Sequence, residues 1–224
     1  MKRKPPEGNV RVVRSTGENM TFTVYSKTGK VVQCESFGEL CWLLGIRRNR
    51  GVRDFGSQPE TFERYGHKYT PDFIVWLVSG DIEIHEITRS FRRTKEEAQR
   101  REQIGREICE ERGWRFFVHT EEELPAGARL ANLLVLRDNQ ARCYDDERVR
   151  ASALDHLVDG RPHLLRPLAE EIGREIDLPR GSVIASLFHM LWHDTITTDL
   201  DKLLLMNGVV APTASVWLPN STEA

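Results

Sequence analysis

The chain has 224 residues, 39% hydrophobic and 29% charged, with a net charge of −2, the balance of an ordinary soluble chain rather than of an extended disordered one. No apolar run approaches the roughly 20 residues that a membrane span requires. The start MKRKPPEGNVRVVR has basic residues but lacks the apolar core of a secretory signal, so a cytoplasmic location and no membrane partner are expected. The charge is uneven: 22 Lys and Arg stand against 20 Asp and Glu through Glu123, and 10 against 14 from Leu124 on, which confines any nucleic-acid role to the first part. Cys34, Cys41, Cys109 and Cys143 show no C-x-x-C pair or zinc spacing and read as free thiols.

In chain order, 21–25 and 30–33 flank the turn SKTGK and read as a β-hairpin. Ser36 opens a helix with apolar Phe37, Leu40, Cys41 and Leu44 at helical spacing, and Gly45 is expected to end it. Two strands follow at 71–77 and 82–88 around the turn SGD, then a long charged helix over 94–112 stopped by Gly113, then WRFFVHT as a buried strand. The chain is expected to divide near 125–147, where the link RDNQARCYDDERVR is polar enough for a boundary, giving domains 1–145 and 146–224. Helical periodicity dominates the second domain: LLRPLAEEIGREID, then PRGSVIASLFHMLWHD with Pro179 at a helix start, then TITTDLDKLLLMNGVVAP. Leu187, Met190, Leu191, Leu203, Leu204 and Leu205 are its expected core. No internal repeat or low-complexity tract is present.

The stretch RYGHKYTPDFIVWLVSGDIEIHEITRS carries the chemistry. Asp72 stands at a strand entrance, and Glu86 and Thr88, two residues apart on the next strand, point to one face. An aspartate so placed, a short turn and an acidic second strand build a metal site, in an arrangement that resembles the PD-(D/E)xK nuclease hairpin. Thr88 stands where that pattern has lysine, so a cation from elsewhere is needed, and Arg92 or Lys95 at the following helix entrance are the candidates, Lys95 preferred. Ser36-x-x-Glu39 is also a capping box, in which Glu39 bonds the backbone of the helix start. The run RSFRRTKEEAQRRE contacts phosphates or forms i, i+4 pairs on a solvated face. His189 and His193 are four apart on a helix, yet no Glu sits between them in HExxH fashion and no third ligand is evident, which makes them structural.

From about Gln33 to Leu136 the chain resembles the TnsA family, the endonuclease subunit of heteromeric transposases. The motifs that carry the likeness are ESFGELCWLLGI, VRDFGSQPETF with its Gln58-Pro59 end, YTPDFIVWL and EERGWRFFVHTEEEL. The resemblance implies an α/β fold, a PD-(D/E)xK restriction-endonuclease-like mixed sheet flanked by helices. It implies Glu39, Asp72 and Glu86 as metal ligands for Mg or Mn, with Thr88 at the lysine position. It further implies nicking of double-stranded DNA at the 5′ ends of a transposon, in a bacterial cut-and-paste system with a TnsB-like transposase subunit. The second domain resembles the family's C-terminal domain, a small helical winged helix that engages a TnsC-like ATPase regulator; its net acidic charge favours a protein partner over DNA. Two other readings stay open: a catalytically degenerate subunit kept for DNA positioning and assembly, and a standalone restriction-type nuclease.

Overall fold

The computed structural model describes residues 21–219; the basic start at 1–20 and residues 220–224 lie outside the described residues. The chain forms two compact units that part between Pro125 and Ala126.

In the first unit, β1 (Phe22–Tyr25) and β2 (Val31–Cys34) make the expected antiparallel hairpin, and Gly29 takes the left-handed turn position at φ 84°. Helix α1 (Phe37–Arg48) opens on Ser36, whose Oγ accepts the Glu39 N–H. It does not stop at Gly45 but continues to Arg48, with the Asn49 N–H bonding back to the Gly45 carbonyl. Leu40, Cys41, Trp42, Leu43 and Leu44 are buried, whereas Phe37 is exposed. Then come β3 (Val52–Ser57), the small hairpin β4 (Phe62–Arg64) and β5 (His67–Tyr69), β6 (Phe73–Leu77), β7 (Ile82–Ile87), the short α2 (Ser90–Arg93), α3 (Glu96–Arg112) and β8 (Arg115–His119). The helix expected over 94–112 is thus preceded by a separate turn of helix and ends, as expected, on Gly113 at φ 69°.

A four-stranded mixed sheet organises this unit, in the order β3-β6-β7-β8, with β3, β6 and β7 antiparallel in succession and β8 parallel to β7. Alternation along β6 feeds two cores. Phe73 and Val75 pack with Trp42, Leu43 and Phe55 on the α1 side, while Ile74 and Trp76 pack with Ile84, Ile104 and Ile108 on the α3 side. The strand β8 was expected to be buried, but it lies at the sheet edge and its residues are half-buried or exposed.

The second unit contains α4 (Gly127–Asp138), a 3₁₀ turn at Arg142–Tyr144, α5 (Glu147–His156), β9 (His163–Leu164), α6 (Leu165–Glu175), α7 (Arg180–Trp192), β10 (Leu205–Met206), β11 (Val209–Val210) and β12 (Ser215–Val216). Strand β9 pairs with β12 and β10 with β11, all antiparallel. The boundary between the compact units precedes the expected 145/146, because α4 belongs to the second core through Leu136. The buried Asn132 amide donates to the Leu200 and Lys202 carbonyls at 2.9 and 2.8 Å and accepts from the Leu204 N–H at 2.9 Å. Leu187, Met190, Leu191 and Leu204 are buried and Leu205 packs against them, but Leu203 is 40% exposed and is not core. His189 and His193 bond the Asn139 and Gln140 carbonyls, which ties α7 to the end of α4 and accounts for both histidines structurally. All four cysteines are free, and only Cys143 is exposed. Among the described residues no helix is long and apolar enough to cross a membrane.

Gly173 lets the chain turn from α6 into α7: a Cβ there would lie 2.8 Å from the Leu178 carbonyl oxygen, a backbone atom that cannot swing aside. Alanine gains up to about 1 kcal/mol in helix propensity, but overpacking against a fixed atom costs about 1–3 kcal/mol. Gly173→Ala should therefore lower stability in denaturant unfolding, and a more stable variant would contradict this account of the turn.

Candidate active site

The register of the sheet brings three polar side chains to one edge. Ser57 pairs with Phe73 and Phe73 with His85, so the next residues outward on β3, β6 and β7 are Gln58, Asp72 and Glu86. Residues directly opposite on neighbouring strands share a face. The Gln58 N–H donates to the Asp72 carbonyl at 2.8 Å, and the Asp72 carboxylate accepts the Ile87 N–H at 2.7 Å. The Tyr69 hydroxyl donates to Glu86 Oε2 at 2.6 Å. Gln58 donates its amide N–H to Glu35 at 2.9 Å, while its buried Oε1 has no hydrogen-bond partner among the described residues.

Two like charges so placed disfavour one another. Asp72 and Glu86 keep an opening to solvent, yet protein surrounds them closely enough that desolvation is the main influence on both. Burial pushes Asp72 well above the usual aspartate range, and the nearby Glu86, Glu39 and Glu35 charges add to this. Burial likewise raises Glu86 to about 7, against the Tyr69 hydrogen bond and the Arg101 charge, which favour its ionised form. Tyr69 is raised well above its ordinary value, by burial first and then by the Glu86 and Asp72 charges.

Glu39 takes the capping role. Its carboxylate accepts from the Glu35 N–H at 2.7 Å and the Ser36 hydroxyl at 2.8 Å, while its charge still acts on Asp72 and Glu86. Thr88 and Lys95 do come together: a cleft of about 390 Å³ is lined by Glu86, Thr88, Arg92, Lys95 and Arg101, among others. Lys95 stands there as the N-cap of α3. The basic run forms the i, i+4 pairs Glu96–Arg100, Glu97–Arg101 and Glu102–Arg106 on an exposed face. Tyr69, Glu35 and Arg101 were not singled out from the sequence; YTPD and the basic run contain two of them, but only the sheet register shows what they face.

Among the described residues, no three His, Cys, Asp or Glu side chains are gathered as a metal set. The donors that do fit a hard cation are the carboxylates of Asp72 and Glu86, whose charges a divalent ion would neutralise. Glu39 joins them only by leaving its cap.

A mixed sheet flanked by helices, with paired carboxylates at one edge, is compatible with a nuclease-like fold. Residues 46–121 match the family model described as TnsA-like endonuclease N terminal. That segment is thus similar to a TnsA-type endonuclease domain, and Asp72, Glu86, Thr88 and Lys95 fall inside it, whereas Glu39 and the second unit fall outside it. No curated protein matches the chain.

The raised Glu86 carboxyl yields a pH prediction. A carboxyl whose folded value exceeds its ordinary 4.5 is bound more tightly by protons in the folded state, so its stabilising effect is complete below about 4.5 and is lost as pH rises to about 7. Relative to the native metal-free protein, Glu86→Gln should become progressively more stable across that window. Denaturant unfolding at several pH values checks this; a difference that does not change with pH would refute it.

Proposed function

We propose that the chain is the metal-dependent endonuclease subunit of a heteromeric transposase, nicking the 5′ ends of a transposon during cut-and-paste transposition. The observation that carries this reading is the Asp72–Glu86 pair, held side by side at a sheet edge within a TnsA-like segment, with Glu86 lining a cleft that also holds cations. In this reading Asp72 and Glu86, with Glu39 once released from its cap, hold Mg²⁺ or Mn²⁺. The bound ion supplies charge neutralisation at the attacking and leaving oxygens of phosphodiester hydrolysis. Tyr69 holds the Glu86 carboxylate in place, and the Ile87 N–H does the same for Asp72. Lys95 supplies a cation on the Thr88 side of the cleft.

The partners proposed are double-stranded transposon ends, a TnsB-like transposase subunit and a TnsC-like ATPase regulator. The second unit suits the last of these as a winged helix: α6, the turn at Leu178 and α7 stand as a helix-turn-helix, followed by the β10–β11 hairpin. Its acidic balance supports a protein partner rather than phosphate tracking. The degenerate-subunit reading keeps one observation in its favour, the threonine at position 88.

The test uses metal as the probe. A ligand that binds only the native state raises its melting temperature, so Mg²⁺ or Mn²⁺ should raise the Tm of the native chain, and Asp72→Ala should remove that rise together with metal-dependent nicking of transposon-end DNA in the presence of its partner subunits. An unchanged metal-dependent shift in Asp72→Ala would move the metal elsewhere. Metal binding without cutting by the native chain would favour the degenerate subunit.

A further inference from the structure

The strand position next to the carboxylates carries threonine, yet the cleft in front of it is not short of positive charge. Four cations line it: Arg92, Arg93, Lys95 and Arg101. They are not equally placed. Arg93 is gripped by Glu102 through two nitrogens at 3.1 and 3.0 Å, and Arg92 lies over the Phe91 ring. Lys95 occupies the N-cap position of α3 and makes no side-chain capping bond there. Arg101 lies one helical turn before Ile104 and Gly105, the residues through which α3 packs on the sheet, so it leaves the helix on the side that faces Glu86 and Thr88. Arg101 and Glu86 line the same cleft.

Two further features suit Arg101 to a phosphate. Its own partner is Glu97 on the same helix, and both side chains of that pair are more than half exposed. Such exposed i, i+4 pairs are weak and screened by solvent, so the guanidinium is readily exchanged onto a stronger anion. A guanidinium also presents a rigid fork of donors that matches two phosphate oxygens, and it stays charged at any working pH. The approach of α3 is held by Gly105, where a Cβ would meet the Phe116 ring at 2.4 Å. The helix therefore sits close enough to the sheet for its side chain to reach the cleft.

Resting on the nuclease reading above, we propose that Arg101 binds the scissile phosphate and supplies from α3 the positive charge that Thr88 cannot supply from β7. In the reaction, a water oxygen forms a bond to phosphorus and the ester P–O bond breaks. The water proton passes to solvent or to a carboxylate, and the leaving oxygen takes one up from solvent. Arg101 exchanges no proton and forms no bond; it faces the extra charge that gathers on the phosphate oxygens as the two P–O bonds cross over.

The experiment measures single-turnover nicking of transposon-end DNA by the full chain with its transposase subunit, in Mg²⁺ and in Mn²⁺. It compares the native chain with Asp72→Ala, Arg101→Ala, Arg101→Lys, Lys95→Ala and the double variant Arg101→Ala/Thr88→Lys. Arg101 is exposed, so its variants should keep the native Tm. Arg101→Ala should slow nicking by about 10²- to 10³-fold, the loss typical of one preorganised charge at the transition state. Lysine at 101, or at 88 in the double variant, should recover part of that loss, which a merely structural role for Arg101 would not allow. Native-rate nicking by Arg101→Ala, or a larger loss in Lys95→Ala, overturns the Arg101 assignment; with Asp72→Ala inactive, the nuclease reading survives it. If the native chain and Asp72→Ala are equally inert, the nuclease reading fails and the Arg101 assignment fails with it.

Discussion

The first unit is organised around an unfavourable contact. Asp72 and Glu86 are set side by side where β6 and β7 end, and both are partly removed from water. Burial raises both carboxyls, the Glu86 charge adds to this at Asp72, and Glu39 and Glu35 on the approach to α1 add negative charge rather than relieving it. A fold selected for stability alone would place apolar residues there, since a buried carboxylate is costly unless paired. The surrounding structure instead holds the pair in position: the Ile87 N–H fixes one carboxylate and the Tyr69 hydroxyl the other.

The remainder of the unit can be understood as support for that edge. The two cores on either face of the sheet clamp β6 between α1 and α3, so Asp72 stands directly before a strand that is buried on both sides. The β4–β5 hairpin delivers Tyr69 next to β6, and Arg64 anchors the hairpin to α3 through Glu107 and Glu111. On the opposite face His85 and His119 stack and share a hydrogen bond of 2.9 Å, joining β7 to the edge strand β8. The cations are supplied by the charged segment from α2 into α3, whose glutamates pair several of them along the helix while Arg92, Arg93, Lys95 and Arg101 line the cleft together with Glu97 and Glu102. This division of labour suits a site that holds anionic side chains close together while admitting an anionic substrate.

The strands and helices of the first unit were largely legible in the sequence because each carries a local signal. The hairpin SKTGK, the Ser36 cap, the SGD turn and the Gly113 stop are all set by neighbouring residues, and each appears where that chemistry puts it. The misreadings arose where packing outweighed local preference. Gly45 reads locally as a stop, yet the buried Leu43 and Leu44 carry α1 on to Arg48. The strand WRFFVHT looks apolar enough for a sheet interior, but its rank in the sheet is an edge, which nothing in its own residues encodes. The polar link was read as the boundary, whereas Asn132 and Leu136 bind α4 into the second core across some seventy residues of chain.

By itself the sequence determined which residues had the chemistry: Asp72 after a proline, Glu86 and Thr88 on one strand face, a capping box that contains Glu39, and a basic run beside them. These follow from residue type and from periods of two and of about 3.6, both properties of a few consecutive residues. Only the tertiary structure decided which of them meet. That Gln58, Asp72 and Glu86 form one row depends on the register of three strands, and that Tyr69 bonds Glu86 depends on where a hairpin is folded back. That Arg101, fifteen residues beyond Glu86, lines the same cleft depends on how closely α3 packs on the sheet. Register and helix approach are set by long-range packing summed over both cores, and no local stretch of sequence contains that sum.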